Sequence, residues 1–120
     1  MWVASVFGWF SVTESPIEPG KIQVRARERA DLEALRNATG IDSPIIETPT
    51  ADYRYRVLLR RAVWVDVVAR ALAESVTYEN FKSAVAATPA QARKVPAYHS
   101  VWATMARLQA AGPGKKDSEG

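Results

Sequence analysis

The sequence contains no cysteine and a single histidine, His99. Without cysteine there are no disulfides, no thiolate metal ligands and no cysteine nucleophile, so the core must be self-sufficient. The absence fits a reducing compartment. One imidazole gives a zinc site or a facial triad almost nothing to build on. His99, beside Tyr98 on an expected helix, reads as a surface or core-rim residue. Glycine is sparse and scattered, with three of six at positions 112, 114 and 120, so no phosphate-cradling loop is present. Ser5, Ser11, Ser43, Ser75, Ser83 and Ser100 have no nucleophile elbow around them. The expectation is a non-enzymatic protein with no catalytic residue, no bound metal and no cofactor. An enzyme stands as a remote alternative, requiring His99 to meet carboxylates such as Asp52 or Glu79.

Long hydrophobic runs are also missing. No stretch approaches the roughly 18 apolar residues of a membrane span. The apolar opening from Met1 to Phe10 lacks a basic n-region, and polar Ser11, Thr13 and Glu14 follow before any cleavage-like site. A soluble, cytoplasmic protein with no membrane partner is expected.

What is present is ordinary globular material: 120 residues, 48% hydrophobic and 24% charged. That length suits one domain. Sixteen Lys and Arg against thirteen Asp and Glu leave a net charge of +3. The surplus is mild; it assists approach to an anionic surface by steering without defining one.

Two runs of aromatic and β-branched residues, Trp2–Val6 and Trp9–Thr13, flank Phe7-Gly8 and predict a hairpin. Trp2, Ala4 and Val6 share one face, as do Phe10 and Val12 on the partner strand. A Pro/Gly-containing loop over residues 15–20 follows. From Lys21 to Arg27, Ile22, Val24 and Ala26 alternate with Lys21, Gln23, Arg25 and Arg27, the pattern of a half-buried antiparallel strand. Residues 29–39 change to a helical period, with Leu32, Leu35 and Ala38 as the stripe and Gly40 as the stop. Asp31 and Glu33, flanked by Arg29 and Arg36, read as a solvated helix face, because residues two apart do not face each other. Residues 41–50 form an extended connection, with an edge strand at Ile45-Ile46 in view.

Residues 53–60 are the fourth main strand. Tyr53, Tyr55, Val57 and Leu59 line its core face, and Arg54, Arg56 and Arg60 its other face. From Ala62 a largely buried helix is expected, with Trp64, Val68 and Leu72 in one row and Val65 and Val67 beside it. Thr77 is expected to cap a short helix that uses Tyr78, Phe81 and Val85. Thr88-Pro89-Ala90-Gln91 reads as a further helix start, and Pro96 as a break. Tyr98, Trp102, Met105 and Leu108 give the stripe of a last amphipathic helix, ended by Gly112-Pro113-Gly114. The whole is an α+β fold: an antiparallel sheet of about four strands in the order β-β-β-α-β, packed against C-terminal helices. One domain is expected over residues 1–111, with a disordered tail over 112–120.

The sharpest pattern is the arginines. Arg25 and Arg27 on one strand, with Arg54, Arg56 and Arg60 on another, lie on one sheet face if the two strands pair. Guanidinium suits bidentate phosphate or carboxylate contact and stacking on bases. The plainer reading is an exposed face or edge on which cations deter sheet-to-sheet association. Against an RNA-binding sheet, Tyr53 and Tyr55 are expected in the core rather than on the open face. Trp2 and Trp9, near a hairpin tip, are candidate protein contacts.

Several segments resemble a family of small uncharacterised bacterial and phage proteins. They are Met1-Trp2, Gly8-Trp9-Phe10-Ser11-Val12, Val24-Arg25-Ala26-Arg27 with Asp31-Leu32-Glu33, Ala51-Asp52-Tyr53-Arg54-Tyr55-Arg56, Tyr78-Glu79-Asn80-Phe81-Lys82 and Tyr98-His99-Ser100-Val101-Trp102. The resemblance spans roughly residues 1–108, with Trp9 where phenylalanine is expected. It implies a mobile-element or host-interaction setting and brings no established activity. The expected function is a binding or regulatory domain using Arg25, Arg27, Arg54, Arg56 and Arg60 to contact nucleic acid or an acidic protein. The alternative is a protein-interaction module or inhibitor encoded by a phage or mobile element, anchored by Trp2 and Trp9. Homodimerisation through an exposed strand or tryptophan is open.

Overall fold

The computed structural model describes residues 1–113. Most of the expected tail, from residue 114 on, lies outside the described residues. The chain divides into two compact units, Met1–Glu79 and a second from Asn80 onward.

The first unit is α+β. Its strands are β1 (Trp2–Ser5), β2 (Gly8–Glu14), β3 (Lys21–Ala26), β4 (Ile46–Glu47) and β5 (Tyr55–Arg60), with α1 (Arg29–Thr39) between β3 and β4. All pairings are antiparallel, in the order β1-β2-β3-β5-β4. The sheet therefore has one strand more than the four main runs, the fifth being a two-residue edge. Ile46 takes part in it, one residue beyond the expected Ile45 start.

The β1–β2 hairpin turns through Val6-Phe7, since Ser5 pairs with Gly8. The Ser5 hydroxyl closes the turn by accepting from the backbone N–H groups of Phe7 and Gly8 and donating to the Gly8 carbonyl. Gly8 has φ 152°, and a Cβ there would lie 2.2 Å from Cγ of Asp31. Glycine is thus required twice, by backbone conformation and by close approach. Asp31 is consequently not on a solvated face: it is 2% exposed and accepts a 3.2 Å hydrogen bond from the Trp9 backbone N–H. Glu33 does remain at the surface, paired with Arg29 one turn back.

Alternation on the strands builds the core. Phe10, Val12, Ile22, Val24, Ala26, Val57 and Leu59 face inward and meet Leu32 and Leu35 of α1. Fully burying a side chain such as Val24, Leu32, Leu35 or Val57 contributes about 1.5–3 kcal/mol each. Ala38 falls outside this stripe and is exposed. Gly40 ends α1 in the left-handed conformation, its N–H donating to the Arg36 carbonyl.

After β5 the chain runs through α2 (Arg61–Val63), a π-helical stretch (Trp64–Ala69) and α3 (Arg70–Glu74). The expectation of a largely buried helix is corrected here. Val68 is buried, Trp64 and Leu72 are half-buried, and Val65 is 56% exposed. The wider π turn rotates successive side chains away from the 3.6-residue stripe, so one row faces the core and its neighbours do not.

The second unit holds α4 (Phe81–Ala86), a 3₁₀ turn (Ala92–Lys94) and α5 (Val95–Ala111). The cap of α4 is Asn80, whose Oδ1 accepts from the Ser83 N–H at 2.9 Å, not Thr77. Thr88-Pro89-Ala90-Gln91 is a turn rather than a helix start. The Thr88 hydroxyl turns back to donate to the Ala84 carbonyl of α4, tying residue 88 to the end of that helix. Pro96 sits within the first turn of α5, where a missing N–H costs nothing, and does not break it. Tyr98 is buried and edge-on to Phe81 at 5.0 Å, but Trp102, Met105 and Leu108 are more than half exposed. Only the first residue of that stripe is core. Among the described residues no helix is long and apolar enough to cross a membrane.

Candidate anion-binding sheet face

The β2–β3–β5 register decides which side chains share the outer face. Val12, Val24 and Val57 pair in one inward row, so Ser11, Arg25 and Arg56 form the adjacent outward row. Trp2 pairs with Ser11, extending that row onto β1. By the same parity Ala4, Trp9, Thr13, Lys21, Gln23, Leu58 and Arg60 are outward. Among the described residues no strand position on this face is acidic.

Arg25 and Arg56 stand directly opposite each other. Like charges so placed are destabilising unless something intervenes. Neutral groups hold them apart. The Arg25 Nη2 donates to the Ser11 hydroxyl at 2.7 Å, on the β2 side. The Arg56 Nη1 donates to Gln23 Oε1 at 3.0 Å, and its Nη2 to the Tyr53 carbonyl at 3.1 Å. Gln23 in turn donates from Nε2 to Thr13 Oγ1 at 2.9 Å. Guanidinium only donates, so this network fixes the orientation of the Gln23 amide. These partners orient the cations without neutralising them.

Tyr53 is the centre of the cluster. The Arg25 guanidinium carbon lies 4.8 Å from its ring centroid and that of Arg27 lies 4.1 Å away. Tyr53 is 5% exposed, yet it is covered by arginines and is not part of the apolar core that Tyr55 borders. Its expected place on the core face is therefore corrected. Residue 53 precedes β5, so the alternation that holds from Tyr55 onward does not bind it. Arg27 likewise lies one residue past β3. Each cation–π contact of this kind is worth about 0.5–2 kcal/mol.

The five arginines do not act alike. Arg25, Arg27 and Arg56 converge on Tyr53, and among the described residues no ion pair engages them. Arg54 is tied to Glu47 of β4 by Nε and Nη2 contacts of 2.7 and 2.6 Å to one carboxylate oxygen. That hydrogen bond, with the carboxylate's charge, raises the Arg54 pKa above its ordinary value. Arg60 is exposed and pairs across the sheet with Lys21, about 13 Å along β5 from Arg56 at strand rise. The Nε atoms of Arg25 and Arg56 are buried without a hydrogen-bond partner among the described residues. Two opposed cations and two unmet donors make this an expensive arrangement for a merely structural face.

The tryptophans lie on the same face. Trp2 is 70% exposed on the edge strand, and its ring is 5.6 Å from that of Trp9, tilted by 48°. Sequence reasoning missed Tyr53, Gln23 and Ser11 as parts of the site. For Gln23 and Ser11 the signal was their parity with Arg25 and Trp9; for Tyr53 there was none.

His99 is exposed and engages a lysine and an indole rather than the carboxylates of Asp52 or Glu79: its Nδ1 is 3.0 Å from Lys82 Nζ, and its ring stacks on Trp102 at 5.5 Å. Asp52 accepts from the Tyr53 backbone N–H. Among the described residues no three His, Asp or Glu side chains gather as a metal-holding group. No family model, no curated protein and no solved structure matches the chain.

Proposed function

We propose that this protein is a non-enzymatic binding domain whose arginine-bearing sheet face takes an anionic group of a partner. The observation that carries the reading is the convergence of Arg25, Arg27 and Arg56 on Tyr53 without a carboxylate. Guanidinium groups held by neutral hydroxyl, amide and carbonyl partners keep their full charge and a fixed orientation. A phosphate or carboxylate brought there supplies the counter-charge that the fold itself omits. Arg54, already neutralised by Glu47, is peripheral to the contact. The family resemblance adds a mobile-element or host-interaction setting to this reading. The test is titration of the protein with inorganic polyphosphate at low ionic strength, followed by backbone chemical shifts. The expected result is saturable shifts centred on residues 25, 27, 53 and 56, lost in the Arg27→Gln/Arg56→Gln double variant. Shifts spread evenly over the surface lysines and arginines, unchanged in that variant, reject the reading.

The exposed Trp2, backed by Trp9, favours a second reading as a protein-interaction module anchored at the hairpin. Pull-down after nuclease treatment, with and without Trp2, separates the two.

A further inference from the structure

The outer face has an internal order that bears on the chemistry of the partner. The charged groups occupy its middle: Arg25 is on the central strand β3 and Arg56 on its neighbour β5. The large exposed apolar group, Trp2, is at the edge on β1. Ser11 and Gln23 are buried beneath the arginines and are spent on holding them. A protein–protein interface is built the other way round, with an apolar, charge-depleted centre and a polar rim. Central guanidinium groups with a flanking aromatic platform are what single-stranded nucleic acid requires. Its phosphates need cations and its unpaired bases need a π-face.

The spacing is suitable. Trp2, Ser11, Arg25 and Arg56 follow one another across four adjacent strands in a single row. Strands lie about 4.8 Å apart, so the row runs about 14 Å from the indole to the last guanidinium, room for a short run of nucleotides. Tyr53 also belongs to this face, so the objection that the aromatics face the core holds only for Tyr55. Tyr53 is buried under the arginines and serves to hold Arg25 and Arg27; the exposed indole of Trp2 is the surface left for a base.

We infer that the partner is a single-stranded nucleic acid laid across the strands, with a base stacked on Trp2 and phosphates on Arg25, Arg27 and Arg56. This rests on the anion-binding reading above and narrows it. The experiment measures anisotropy of labelled oligouridylate and oligothymidylate, against unlabelled inorganic polyphosphate and a duplex of equal length. The variants are Trp2→Thr, Trp2→Phe and Arg56→Gln. Threonine keeps a strand-forming residue at the edge, and Trp2 is exposed enough for either change to leave the fold intact, checked by thermal melting. Stacking on one aromatic is worth about 1–3 kcal/mol, so Trp2→Thr is expected to weaken single-strand binding about ten-fold. Trp2→Phe should retain most of it, and polyphosphate binding should be unchanged in both. Arg56→Gln should weaken every probe. Equal affinity for single strand, duplex and polyphosphate, with no effect of Trp2→Thr, overturns the inference while leaving the anion site standing. Failure of every probe to bind at low salt overturns both.

Discussion

At the residue scale, most of the unusual chemistry is in how polar groups are disposed of. Asp31 illustrates it. A carboxylate in the first turn of α1 is buried against the hairpin glycine and accepts from the Trp9 backbone, tying helix to hairpin. Adding a Cβ at Gly8 collides with this side chain and strains a backbone at φ 152°. Gly8→Ala is expected to cost more than about 2 kcal/mol in urea denaturation, from strain plus displacement of a packed group. Because the collision is with Asp31 itself, a double-mutant cycle with Asp31→Gly should show strong coupling, whereas additive effects would place the cost in the backbone alone. Arg25 and Arg56 show the reverse economy. Their partners are neutral, so the local fold fixes their direction and leaves their charge exposed to whatever binds.

At the element scale, alternation on strands transferred to the structure well and helical stripes transferred poorly. β3 and β5 have neighbours on both sides, so a slip of one residue would put Val24 or Val57 on the polar face; the pattern had to be obeyed. The helices answer to fewer constraints. In the π-helical stretch the turn widens, and Val65 leaves the core that a 3.6-residue period assigns it. Capping was misplaced for a similar reason: Thr77 and Asn80 are both acceptable caps by residue type. The backbone chooses between them by where the extended conformation ends, and Asn80 has φ −129° and ψ 118° immediately before α4. Asn80→Ala should therefore lower stability by about 1 kcal/mol, with Thr77→Ala within about 0.5 kcal/mol of wild type, as read by thermal or urea melts.

At the scale of the whole molecule, the mild positive charge is not where the arginine pattern suggests. Residues 1–79 carry ten basic and eleven acidic side chains, while residues 80–120 carry six basic and two acidic. The sheet-bearing unit is thus nearly neutral, and its cationic face arises from segregation: among the described residues no outward strand position is acidic, and the acids lie on helical segments, in loops, on the edge strand β4 and, as Glu14, at the end of β2. Long-range steering by this unit should be weak, with local contacts dominating. If Arg25, Arg27 and Arg56 each neutralise one phosphate of a single strand, log K against log salt should fall with a slope of about −2. A slope several times steeper, measured by anisotropy over a salt series, would point instead to diffuse binding by the basic residues of the second unit.

The sequence by itself determined the α+β class, the strands that form the sheet and the inward set from Phe10 to Leu59, because a two-residue period leaves a buried sheet face no alternative. It also determined that Arg25 and Arg56 point away from that interior. Only the tertiary structure decided that these two stand opposite each other, that Glu47 removes Arg54 from the group, and that Tyr53 gathers Arg25 and Arg27 while Trp2 lies free in the same row. Those outcomes depend on strand order and on residues just beyond strand ends, where local periodicity no longer constrains the side chain and neighbours from distant sequence do.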